Sequence, residues 1–332
     1  MTALVTGATG FIGGNLARAL WQRGEKVHAL VRPGANDIAI RGTGVQQFAG
    51  DLLDMDSLHR AAEGCDSVFH CAAVYAFWSR RPEGIYAANV QGTRNVIETA
   101  LKVGMRRAVF TSSVSTIGWP DAPGKANEET PVNPKLLVGH YKRSKFQAEQ
   151  EALTANEKGL PVIVVNSCAP VGKWDVKPNP TGRIPLDFAR GRIPGYMDTG
   201  MNLVDVDDVA EGHILAMERG RPGQRYILGN RNLTLLQVFR MLADITGRRV
   251  PRFRFPYPLI LGAAYVDQWI QGAIMGQTPR IPVEGIRVAR HPMYVTSQKA
   301  VEELGMPQNS VEIALEKAVR WFADHGYIGT RS

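Results

Sequence analysis

The chain is expected to fold as an α/β protein built on a parallel, doubly wound sheet. Three observations predict this. Short apolar runs alternate with segments of helical periodicity from residue 3 to residue 168. The first run, Ala3-Leu4-Val5, leads through a glycine-rich turn into a helical stretch carrying Phe11, Leu16, Ala19 and Leu20. Several of the later runs end in small or polar residues, as Thr111-Ser112-Ser113 does, and ligands of such sheets lie at the carboxyl ends of the strands.

The turn is Thr6-Gly7-Ala8-Thr9-Gly10-Phe11-Ile12-Gly13. A strand, a glycine turn and a helix N-terminus aim backbone N–H groups and the positive end of the helix dipole at one point, where a pyrophosphate fits. Gly7 is expected to allow the tight turn, Gly10 the approach of phosphates, and Gly13 close packing of helix on sheet. A dinucleotide site follows, with Gly7, Thr9, Gly10, Phe11, Ile12 and Gly13 around it. The second strand, Lys26 to Val31, ends at Arg32-Pro33-Gly34. An acidic residue at this place reads the ribose 2′-hydroxyl of NAD, whereas a cation suits the 2′-phosphate of NADP. Arg32 stands there, with Arg41 as a second candidate, so NADP (NADPH) is expected over NAD.

The third strand runs from Val45 to Asp51. Asp51-Leu52 either reads an adenine edge or, through Asp51, caps the helix that carries Leu58 and Ala61. The fourth, Ser67 to His70, leads to Cys71-Ala72-Ala73, where Ala72 and Ala73 let a cofactor pass over the strand end; His70 reads as a core histidine. A helix from about Glu83 to Val103 carries Asn89. The fifth strand ends in Thr111, Ser112 and Ser113. After a loop from Trp119 to Pro134, the helix from Gly139 to about Lys158 places Tyr141 and Lys145 on one face. The sixth strand runs from Pro161 to Asn166 and ends at Cys168-Ala169-Pro170-Val171-Gly172.

Tyr141, Lys145 and Ser113 suggest a reaction. A phenol titrates near ~10, and acting as a proton relay at neutral pH asks for about 3 units less, roughly 4 kcal/mol. An ammonium at ~4 Å supplies about 4 kcal/mol at an effective dielectric of 20. Ser113 would hold the substrate oxygen while a hydride moves to or from nicotinamide. Metal-ligand spacing is not evident, and no metal is expected.

From Lys173 the pattern changes to a loop rich in Pro, Gly, Lys and Arg, with a short helix near Leu186. Residues 203–209 return to strand then helix, 224–229 form another strand, and the last third is mainly helical, closing with a helix from Val311 to His325. The division expected is a dinucleotide-binding domain over 1–172, with returns near 203–216, and a smaller, mostly C-terminal α+β substrate lobe over 173–332. Phe253 to Met275 is aromatic and aliphatic but interrupted by Asp267, Gln268 and Gln271. It reads by default as a core helix, alternatively as the wall of an apolar pocket or a surface-seeking segment that makes peripheral membrane contact.

The 332 residues, 44% hydrophobic and 21% charged, suit one large or two medium globular domains. A net charge of +8 fits an anionic ligand, nucleic acid or an acidic membrane. The basic residues are dispersed, so nucleic acid is not expected. Cys65, Cys71 and Cys168 read as buried free thiols in a reducing compartment. No secretory leader or membrane-spanning run is evident, and a cytoplasmic protein is expected.

The motifs together resemble the extended short-chain dehydrogenase/reductases, the NAD-dependent epimerase/dehydratase family, over nearly the whole chain. They are T-G-A-T-G-F-I-G at the start, D-L at 51–52, N-V-Q-G-T at 89–93, T-S-S-V-S at 111–115, Y-K-R-S-K at 141–145 and V-D-V-D-D-V-A at 204–210. G-H-Y-K-R-S-K, K-P-N-P-T-G-R at 177–183 and the run 198–213 are most similar to its hopanoid-associated sugar epimerase branch, close to dihydroflavonol 4-reductase. The resemblance implies a Rossmann fold, a Ser113–Tyr141–Lys145 triad, nicotinamide contacts at Pro170 and Val171, and substrate contact at Ser115. It departs from the family at Cys168-Ala169, where a Ser-Thr-type pair is usual. Lys173, Lys177, Arg183, Arg190 and Arg192 offer a clamp for a diphosphate or a solvated basic loop. Reduction of a carbonyl on a bulky apolar small molecule is the first expectation and sugar epimerisation the second. A homodimer is usual in such families.

Overall fold

The computed structural model describes residues 1–120 and 124–329. Six strands come first: β1 (Thr2–Thr6), β2 (Lys26–Val31), β3 (Gln46–Ala49), β4 (Ser67–His70), β5 (Arg107–Ser113) and β6 (Val162–Ser167). The rest are β7 (Ala169–Val171), β8 (Gly195–Tyr196), β9 (Gly200–Asp205), β10 (Arg225–Leu228), β11 (Arg231–Thr234) and β12 (Phe253–Arg254). The large sheet is parallel throughout, in the order β10-β6-β5-β4-β1-β2-β3. The order reverses between β1 and β4, which opens a crevice at their carboxyl ends. The doubly wound α/β expectation holds.

Alternation along each strand feeds two apolar layers. Val5, Phe69 and Val109 pack to one side with Leu16 and Leu20 of α1 (Phe11–Gln22) and Ile214. Their neighbours Leu4, Val68 and Phe110 pack to the other. There they meet Leu58 of α2 (Met55–Ala62) and, beyond the single turn α3 (Glu83–Tyr86), Val96 of α4 (Gly92–Lys102) and Ala148 of α5 (Gly139–Thr154). Burial on both faces is why these strands read as continuous apolar runs.

A second core lies between the sheet β11-β9-β7 and three helices, α6 (Arg183–Ala189), α8 (Leu235–Thr246) and α11 (Val311–Asp324). Phe188, Leu203, Phe239 and Leu315 fill it. The chain returns to the large sheet in between, through α7 (Val206–Arg219), which packs on α1, and through β10 at the sheet edge.

Three sequence expectations need correction. The helix over 83–103 is interrupted by a π-helical turn at Ala87–Gln91. The third strand stops at Ala49, so Asp51 lies beyond it. The core-helix reading of 253–275 is overturned. This stretch forms β12, α9 (Tyr257–Asp267) and a π-helical turn at Gln268–Ile274, followed by α10 (Val283–Ala289). Leu259 is 61% exposed and Trp269 63% exposed. Periodicity could not reveal this, because nearly every position of α9 is apolar and no face is marked as the inner one.

Candidate active site

The glycine turn takes its shape from contacts a side chain would block. Gly7 has φ +76°, and a Cβ there would lie 2.7 Å from the Ala72 nitrogen. A Cβ on Gly13 would lie 2.3 Å from the Gly7 oxygen, so its role is to seat α1 on the turn itself. Gly10 is the N-cap of α1 and brings no side chain, leaving the first-turn amides of Phe11, Ile12 and Gly13 without a side-chain cap. Gly10 is exposed, and Thr9, Phe11 and Ile12 are half-buried around it. An uncapped helix start over a side-chain-free cradle suits a pyrophosphate.

Arg32 directly follows β2 and is exposed. Arg41 instead pairs with Asp37 at 2.6 Å. Asp51 does not cap α2: Asp54 does, accepting from the Asp56 and Ser57 amides, while Asp51 accepts from the Leu53 amide. The Leu52 carbonyl accepts from Asn95 at 2.8 Å. The Ala72 amide donates to the Thr6 hydroxyl, and Ala73 is exposed. Asn89, expected at the cofactor, is engaged by protein instead. It pairs with both backbone groups of Val74 and donates to Ser144 at 2.9 Å. The π-helical turn points it inward, and it ties the 74 region to α5.

Ser113 ends β5, and Tyr141 and Lys145 stand one turn apart on α5. Burial pushes the Tyr141 phenol up to about 12, opposed by a hydrogen bond with Ser113. The Lys145 ammonium donates to the Thr111 carbonyl at 2.7 Å and lies 4.4 Å from the centre of the Phe110 ring. Burial lowers it to about 8, opposed by Glu149. This corrects the expectation that the ammonium sets the phenol: desolvation governs both groups, and the ammonium is turned to a carbonyl. The Thr111 hydroxyl faces Cys71 and His213. The Ser115 hydroxyl is buried without a hydrogen-bond partner among the described residues. Pro170 and Val171 lie in β7, paired with Val204 and Asp205. His70 sits neutral between Thr6 and Thr93, a core histidine as expected. Of the thiols, Cys65 and Cys168 are buried and Cys71 is half-buried.

Arg183 is exposed at the start of α6. With Lys177, Arg190, Arg192 and Arg280 it lines a cavity of about 760 Å³ whose walls include neither Ser113 nor Tyr141.

Sequence reasoning missed three residues. Glu149, fully buried, accepts from Ser112, Thr116 and Asn166 and pairs with Arg225, so it anchors α5 to the sheet. Its spacing of four from Lys145 was a usable signal. Tyr75 lies 4.5 Å from Tyr141, ring centre to ring centre. The Glu284 carboxylate lies against Gly139 and accepts from the His140 amide; burial raises it to about 7. Nothing local in the sequence marks these last two, which reach the site from distant segments.

The sheet order and the glycine turn define a Rossmann-type α/β protein. Residues 3–229 match the model of the NAD dependent epimerase/dehydratase family. The chain is 44% identical over 331 residues to a protein of Synechocystis sp. (strain ATCC 27184 / PCC 6803 / Kazusa) provisionally named dihydroflavonol 4-reductase, covering 98% of this chain and 96% of that one. It is 35% identical to sterol demethylase protein B of Methylococcus capsulatus (strain ATCC 33009 / NCIMB 11132 / Bath), covering 99% of this chain and all of that one (100%). Among solved structures it is similar to gox2253, with 41% identity, a TM-score of 0.87, and coverage of 98% of this chain and 99% of that one. The chain belongs to the NAD-dependent epimerase/dehydratase family of extended short-chain dehydrogenases/reductases, and it is an NAD(P)-dependent enzyme.

Proposed function

We propose that the protein is an NADP(H)-dependent oxidoreductase that interconverts a carbonyl and a secondary alcohol on a bulky, largely apolar small molecule. The observation that carries this reading is the phenol of Tyr141 hydrogen-bonded to Ser113 where β5 ends, with Lys145 one turn further along α5. In this reading residues 1–172 mainly bind the dinucleotide, residues 173–332 mainly form the substrate lobe, and the enzyme works in the cytoplasm.

The glycine turn and the first amides of α1 hold the pyrophosphate. Arg32 meets the 2′-phosphate, a cation with geometry suited to it. Pro170 and Val171 border the nicotinamide. When bound, the reduced dinucleotide supplies the hydride. Ser113 orients the substrate oxygen by hydrogen bond, with Ser115 as a second donor. A phenol near about 12 is protonated at neutral pH, so Tyr141 is suited to give its proton to the oxygen that becomes the alcohol. In this reading Lys145, held at the Thr111 carbonyl, binds the nicotinamide ribose. The apolar character of the substrate is supported by Tyr75 beside Tyr141 and by the exposed apolar stretch 253–275, and the relative named for a sterol reaction agrees with it.

A second reading, an NAD(P)-dependent epimerase of a nucleotide-linked or lipid-linked sugar, is favoured by the cationic cavity around Arg183, which suits a diphosphate. Tyr141→Phe distinguishes a catalytic phenol from a structural one. Turnover of NADPH with a hydrophobic ketone should fall by about a hundredfold or more, with NADPH affinity nearly unchanged. Full turnover in that variant would reject the assignment. Purified protein that retains NAD and epimerises without net NADPH consumption would favour the second reading.

A further inference from the structure

We propose that residues 253–281 form a membrane-docking face by which the enzyme lies on an anionic lipid surface. Most of the exposed large apolar side chains among the described residues fall in this one stretch. They are ordered as well as numerous. Leu259, Val266, Trp269 and Ile274, at steps of seven, three and five, are each more than half exposed on α9 and the turn that extends it. The small residues Gly262, Ala263 and Ala273 between them are exposed too. This inverts the usual arrangement, in which the apolar stripe of a surface helix faces the core. An exposed apolar stripe is what an element lying in the headgroup region presents.

Charge says what covers it. Residues 248–291 contain seven arginines, Arg248, Arg249, Arg252, Arg254, Arg280, Arg287 and Arg290, against Asp267 and Glu284. Burial further raises Glu284 to about 7, which reduces its negative charge at neutral pH. Asp267, the last residue of α9, is half-buried and accepts from the Ile281 amide. Apolar side chains with tryptophan and tyrosine among them, flanked by arginines, complement acyl chains below and anionic headgroups around. No helix among the described residues is long and apolar enough to cross a membrane, so the face lies on the surface.

The inner side of this stretch, together with α10 that follows it, packs toward the candidate active site. Gly272 packs against Trp78, Gly285 against Phe77, and Glu284 against Gly139 at the start of α5. Phe77 meets Tyr75, which meets Tyr141. A chain of aromatic rings, Phe77 and Tyr75, therefore links this region to the phenol, and an apolar substrate would leave the bilayer on the side of the molecule where it reacts. This last step rests on the reductase reading; membrane docking itself does not.

The experiment is cosedimentation of the full chain with phosphatidylcholine vesicles, with and without phosphatidylglycerol, in the absence of substrate. The protein should bind the anionic vesicles, bind neutral ones weakly, and be released by salt. Leu259→Ser with Trp269→Ser should lower partitioning roughly tenfold or more while leaving NADPH binding and melting behaviour near the parent's. Arg252→Glu with Arg287→Glu should remove the preference for anionic lipid. The proposal is overturned if no vesicle binds, or if both variants bind as the parent does. It is also overturned if the parent sediments as a dimer that the apolar variant splits, since a second copy would then cover the face. Reduction of a ketone added in free solution tests the reductase reading separately.

Discussion

Lys145 is held in a place that penalises its charge. Its folded value of about 8 lies below the ordinary 10.5, so the unfolded chain binds the proton more readily between these values. Stability therefore rises with pH from about 8 to about 10.5, and below 8 the whole penalty is present. Lys145→Met should be more stable than the parent in urea unfolding at about pH 7, with the difference shrinking as pH rises through that window. The same variant should lose most NADPH turnover. A lysine that is merely structural would show the same pH-dependent gain in stability but keep its NADPH turnover. At this scale the positions of Ser113 at the end of β5 and of Tyr141 and Lys145 one turn apart on α5 were legible, since they follow from a strand end and a spacing of four. The direction of the ammonium was not, because the Thr111 carbonyl that receives it is 34 residues away.

Among the elements, the turn before α1 and the helix α5 carry the site. Gly13 faces a carbonyl oxygen that belongs to backbone and cannot swing aside. Gly13→Ala should force α1 off the turn, lowering stability by about 1–3 kcal/mol and weakening dinucleotide affinity at the same time. Thermal unfolding and a cofactor titration on one sample check both; loss of stability without loss of affinity would mean that the turn is not the phosphate seat. For α5, the anchor is Glu149, whose partners Ser112, Thr116, Asn166 and Arg225 come from other segments. Most strands of the large sheet were readable because apolar runs followed by small residues mark them, although β3 stops two residues earlier than its run suggests. The exposed α9 was not, because an all-apolar helix looks the same from sequence whether it faces core, lipid or water.

For the whole molecule, the dinucleotide should bind across the carboxyl ends of the sheet, and a ligand of the folded state alone stabilises it by mass action. At about a hundred times its dissociation constant NADPH should add about 2.7 kcal/mol, read as a rise in melting temperature. NADPH should act at lower concentration than NADH, and Arg32→Asp should erase that difference; an equal response in the parent would leave Arg32 as a loop residue. The doubly wound architecture was legible in the sequence, since a parallel sheet buried on both faces writes itself as apolar runs separated by helical periods. Its closure by β10, and the return of α7 to pack on α1, join segments far apart in the chain. Local sequence determined the strands, the glycine turn and the spacing of tyrosine and lysine, because each depends on neighbours within a few residues. Only the tertiary structure decided that Glu149 is buried among hydroxyls, that Tyr75 borders the phenol and Glu284 the start of α5, and that 253–275 faces outward. Burial and its effect on charge are set by which distant segments meet.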